Sequence, residues 1–228
     1  MEMAKLPDLI CEGVSSAAGG TYDQVKIEGV GTATGSVIAN TFKGNGNIRV
    51  KGDLAAGELE CNGMVNVNGD LRFGNMKADG MLGIGGAARG EVCVLNGLLR
   101  VKGDCELENF TGVGGFVIGG LLSAGHVDIK LHGAGIAKEI GVESLVVRQI
   151  PQGRWNRMLG SIFPKLKPEL SAAVIEGDTL DLEYTKAEVV RGNAVIVGKG
   201  CTIGRVEYRS ELTVHRDAVI GQEEKTGE

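Results

Sequence analysis

Residues 46–53 read Gly46-Asn47-Ile48-Arg49-Val50-Lys51-Gly52-Asp53. Seventeen positions on, the stretch returns as Gly63-Met64-Val65-Asn66-Val67-Asn68-Gly69-Asp70, and two steps later as Gly97-Leu98-Leu99-Arg100-Val101-Lys102-Gly103-Asp104. Working outward, one glycine column runs Gly29, Gly46, Gly63, Gly80, Gly97, Gly114, and a second runs Gly35, Gly52, Gly69, Gly86, Gly103, Gly120. Apolar columns keep the same step: Val25, Phe42, Leu59, Met76, Cys93, Phe110, Val127; Ile48, Val65, Leu82, Leu99, Phe116; Ala33, Val50, Val67, Ile84, Val101, Ile118; and Val37, Leu54, Leu71, Ala88, Cys105, Leu122. Within a step the apolar residues alternate, as in Ile48-x-Val50 and Leu59-x-Cys61, which is strand behaviour. The glycines sit where the alternation stops, as chain corners require. A 17-residue strand–corner unit cannot bury its own apolar face, but stacked units can, like over like. The predicted fold class is all-β, a parallel β-helix with about 17 residues per turn and one inserted loop or helical segment.

Composition agrees. Glycine supplies 38 of 228 residues, about one in six against a usual share of roughly 7%. Collagen is excluded, because no Gly-X-Y step exists and only 4 prolines are present. A hydrophobic fraction of 43% and a net charge of −5 argue against simple disorder, and the mild acidity against nucleic-acid binding. The five cysteines (Cys11, Cys61, Cys93, Cys105, Cys201) form no CxxC pair and read as reduced thiols; no secretory signal is legible, so a cytoplasmic protein is expected. The uncharged run from Asn109 to Val127 is long enough for a membrane span, but it holds the repeat's step and reads as rungs.

The column pattern divides the chain into a lead-in (1–24), rungs (25–133), an insertion (134–174), further rungs (175–221) and a tail (222–228). In the second rung region Val189 matches Val206, Val195 matches Leu212, Val197 matches Val214 and Ile203 matches Ile220, each 17 apart. The insertion carries no acidic residue from Ser144 to Pro168 but interleaves Arg154, Arg157, Lys165 and Lys167 with Trp155, Leu159 and Phe163. Such a segment is either a foot on an anionic membrane surface or partner, or an inserted loop-helix whose apolar side covers the β-helix wall.

The stacked Val-Lys-Gly-Asp units (Val50–Asp53, Val101–Asp104, with the variant Val67–Asp70) and the segment from Ala173 to Gly192 resemble the bactofilins, polymer-forming bacterial cytoskeletal proteins, in their longer Gram-positive type. The resemblance covers roughly residues 25–132 and 172–221. It implies a right-handed β-helix that assembles head to tail, without nucleotide or other cofactor, into a scaffold filament. The partners it implies are further copies of the chain, together with a membrane surface or envelope and motility proteins, at the inner face of the membrane.

Polymerisation also follows from an edge argument, since an uncovered last rung templates addition of another strand. The expected interface is the first rung (Val25, Ile27) and the last (Val214, Ile220), and a charge such as Ile220→Asp is expected to give monomers. The enzymatic alternative is a left-handed hexapeptide-repeat acyltransferase, for which Val197-Gly-Lys-Gly-Cys-Thr-Ile203-Gly has a six-residue step and His126, His132 or His215 would be the base. The step fails at Glu60 and Arg209. Asp53, Asp70 and Asp104 could pair as the carboxylates of a polysaccharide-cleaving β-helix, but each follows a corner glycine and reads as turn chemistry. No catalytic triad, metal cluster or cofactor motif is legible.

Overall fold

The computed structural model describes residues 6–150 and 167–227. They are all-β, with no helix among the described residues, and their strands pair in parallel. The chain separates into two compact units, one ending at Asn109 and one beginning at Phe110. Each is a β-solenoid.

The first unit contains β1 (Leu9–Ala17), β2 (Gly20–Ala33), β3 (Val37–Val50), β4 (Leu54–Val67), β5 (Leu71–Ile84) and β6 (Ala88–Val101). From β2 to β6 each turn is a bent 14-residue strand and a three-residue corner such as Lys51-Gly52-Asp53. The register holds 17 throughout: Val25 lies beside Phe42, Phe42 beside Leu59, Leu59 beside Met76 and Met76 beside Cys93. That column, with those of Ile48, Val50 and Leu54, fills a thin apolar core. Volume is shared between turns. Phe73 fills the room left by Gly90, where a Cβ would overlap its ring.

The two glycine columns do different work. In the first, φ is positive from Gly29 (106°) to Gly97 (142°), a region costly for any side chain. At Gly46 a Cβ would also overlap the carbonyl oxygen of Gly29, one turn back. In the second column the backbone is not left-handed, but a Cβ at Gly69 would overlap the Asp53 carboxylate. Corner N–H groups stay paired there: Lys51 N donates to Ala33 O at 2.9 Å and Gly69 N to Gly52 O at 3.1 Å.

The outermost turn corrects the sequence reading. Val25 and Ile27 are not the first rung, because β1 lies outside them in a 16-residue register, with Leu9 beside Val25 and Cys11 beside Ile27. One residue fewer in the connection takes β1 out of the 17-step columns. Val25 and Ile27 are consequently 0% and 2% exposed.

The second unit contains most of β7 (Cys105–Gln149), with β8 (Leu170–Leu182), β9 (Thr185–Val197), β10 (Thr202–Val214) and β11 (Val219–Lys225). The uncharged run 109–127 is strand, since all of it lies in β7. No helix of the described residues is long and apolar enough to cross a membrane. Within the interval 134–174, where the columns are blank, Gly135–Val147 pair with Leu170–Leu182 and belong to the solenoid. The step shortens to 15 between β8 and β9, where Leu170 lies beside Thr185. It is 16 where β9 and β10 begin and 17 after an irregularity between Tyr208 and Glu211. Val206 therefore lies beside Val190, not Val189; Val195–Leu212, Val197–Val214 and Ile203–Ile220 pair as expected. The bulge absorbs the missing residue.

Candidate functional site

The two places that chemistry or assembly could use are the walls and the outermost strands. On the walls, side chains of neighbouring turns join into polar ladders. Asn62 Nδ2 donates to Asn45 Oδ1 at 2.8 Å, Asn96 Nδ2 to Asp79 Oδ1 at 2.8 Å and Asn75 Nδ2 to Glu58 Oε1 at 2.8 Å. At the corners Ser36 Oγ accepts the N–H of Asp53, Asp53 Oδ1 that of Asp70 and Asp70 Oδ1 that of Ala87, at 3.0, 2.9 and 2.9 Å. The aspartates bind their own backbone, which supports the corner reading over paired catalytic carboxylates.

In the second unit the ladders are ionic. Arg148 grips Asp181 through both guanidinium nitrogens, one at 2.9 Å. Arg191 reaches Glu176 at 2.9 Å and Glu207 at 2.6 Å, and Arg205 meets Glu207 at 2.9 Å. The hydrogen bond from Arg191 holds the Glu207 carboxyl below its ordinary range. Glu176, Arg191 and Glu207 line a shallow groove of about 640 Å³ with Glu139, Glu143 and Asp178.

The three histidines are exposed. His126 lies 4.0 Å from Glu143, and His215 lies 3.7 Å from its near neighbour Asp217 while its Nδ1 accepts the Asp217 N–H at 3.1 Å. His132 sits on the outer face of β7. Among the described residues no group of three His, Cys, Asp or Glu side chains could hold a metal ion. Cys61, Cys93 and Cys105 are buried in the first unit's core, and burial pushes the thiols up, to about 12 at Cys61 and Cys105. They are packing groups there, not nucleophiles. Of the basic amphipathic set, Arg154, Trp155, Arg157, Leu159, Phe163 and Lys165 fall outside the described residues; Lys167 is exposed at their border.

The outermost strands differ from every turn inside them. On β1 the core-facing Leu9 and Cys11 are half-buried, and Val14 is 89% exposed. At the other unit's edge, β11 covers only the first half of β10. Val197 is 0% exposed, whereas its column neighbour Val214 is 41% exposed. Ile220, in the column of Ala187 and Ile203, is half-buried. The expected Val214 and Ile220 thus lie at an outer edge, while Leu9 and Cys11 occupy the place expected for Val25 and Ile27. A step-16 comparison of Leu9-x-Cys11-x-Gly13 with Val25-x-Ile27-x-Gly29 carries the signal that locates them.

Over 104 residues, 45% of this chain, the sequence is 41% identical to the uncharacterized protein YhbE of Bacillus subtilis, covering 42% of that protein. Over 90 residues, 39% of this chain, it is 41% identical to the uncharacterized protein YhbF of the same organism, covering 34% of it. The matches span less than half the length of these relatives. No family model and no solved structure matches the chain.

Proposed function

We propose that the protein is a non-enzymatic structural subunit, a stiff β-solenoid that stacks end to end on further copies of itself, without nucleotide, to form a scaffold in the cytoplasm. The observation that carries this reading is the exposure of core columns at the outermost strands. Leu9 and Cys11 continue the columns of Val25 and Ile27, yet only one side of each is covered by the described residues. A second copy's strand would satisfy the open N–H and C=O groups and bury these side chains together. The resemblance of the Val-Lys-Gly-Asp turns to bactofilins supports the same reading, and with it a right-handed coil and a cytoskeletal role. The basic segment around Trp155 and Phe163 is the part of the chain suited to an anionic membrane face.

Electron microscopy of the purified chain, with no nucleotide or metal added, tests it. Open-ended filaments or sheets are expected. Compact particles of three chains, unchanged by dilution, would overturn the proposal and favour the acyltransferase.

A further inference from the structure

The outer edges of the two units carry opposite chemistry. In the first unit, the core-facing positions of β1 (Leu9, Cys11, Ser15 and Ala17) are uncharged, and Glu12 is the strand's single charge. In the second unit, the column Ile140, Ile175, Val190, Val206 is buried at every step, and its next member on β11 is Glu223. Two residues on, the column of half-buried Val142, Gly177 and Tyr208 with buried Gly192 ends in Lys225. Paired positions on parallel strands share a face, so a carboxylate stands where the core of the coil would continue, with an ammonium at the core's border.

We infer that Glu223 and Lys225 form a charged brake, which weakens the joint that the outer edge of β11 makes with a second copy, while the edge of β1 carries no such charge. This rests on the end-stacking reading above and adds what limits the strength of the stack. A strand laid on β11 would carry Glu223 out of water into a turn interior and Lys225 to its border, a cost that a charge meets only with a well-placed partner. An incoming β1 supplies only Glu12. Leu212, Val214 and Ile220 around the brake would otherwise make this edge more adhesive. Charges facing inward on an edge strand are a known defence against strand addition.

The test is the double variant E223V/K225V of the full chain, compared with wild type by sedimentation over a broad concentration range. The concentration at which half the protein pellets is expected to fall about tenfold or more, because the two charges no longer oppose stacking. Glu224→Val, which removes a charge from the neighbouring position over Glu207, is expected to leave it unchanged. So is Lys225→Glu, which keeps a charge at both positions. Equal pelleting of E223V/K225V and wild type would overturn the inference. So would weaker assembly of the double variant together with dissociation by Lys225→Glu, which would mean that Glu223 and Lys225 pair between two copies. Leu9→Asp reads the β1 edge separately: assembly untouched by that change would sink the end-stacking reading, whatever β11 does.

Discussion

Asp53 Oδ1 accepts the backbone N–H of Asp70, its counterpart one turn along the coil, at 2.9 Å. The bond ties two corners together and occupies the space that a side chain at Gly69 would need. Asp53→Ala is expected to lower stability by about 1 kcal/mol, the net worth of one such bond. Asp53→Asn keeps an acceptor oxygen and should cost less. Urea unfolding of the two variants checks the order; an equal loss in both would mean the charge, not the acceptor, matters.

Gly46 combines a φ of 125° with a Cβ site occupied by the carbonyl of Gly29. Gly46→Ala is expected to cost about 2–4 kcal/mol, more than the ~1 kcal/mol typical of a positive-φ site without crowding. Gly13 has a φ of 71° and open space at its Cβ, so Gly13→Ala is the milder control. Thermal melts of both should separate strain from crowding.

The buried thiols make an alkaline prediction. Burial raises Cys61 and Cys105 to about 12 and Cys93 also upward, against an ordinary value near 8.5. Above pH ~9 the unfolded chain releases these protons and the folded chain keeps them, so stability falls as pH rises. Each thiol contributes a slope of up to about 1.4 kcal/mol per pH unit between roughly pH 9 and 11. Cys61→Ala should lower overall stability but flatten that slope. An unchanged slope in the variant would count against burial of this thiol. At neutral pH, and at concentrations too low for assembly, a thiol reagent should label half-buried Cys11 well before the buried cysteines.

The β1 edge makes the assembly prediction. Leu9→Asp puts a carboxylate where Leu9 continues the Val25–Phe42 column. The assemblies expected of wild type should give way to monomers, with the melting temperature little changed because Leu9 is already half solvated. Light scattering at matched concentrations decides it.

Most of the first unit was legible in the sequence, because its turns are equal in length. Val25, Phe42, Leu59, Met76 and Cys93 stack in register only if each turn has the same number of residues, so a constant step in the chain is a column in space. Where turn length changes, that equivalence fails. Leu9 lies 16 residues before Val25, Leu170 lies 15 before Thr185, and the bulge near Tyr208 moves Val206 from Val189 to Val190.

By itself, then, the sequence determined the coil and its core, since alternating apolar residues at a fixed step have one way to bury themselves together. Only the tertiary structure decided where each stack of turns stops. Whether Leu9 or Val25 faces outward, and whether Glu223 belongs to a tail or to a core column, depends on how one corner closes. A corner's length is set by the backbone hydrogen bonds it makes with the turn beside it, and those partners are neighbours in space and not in the chain.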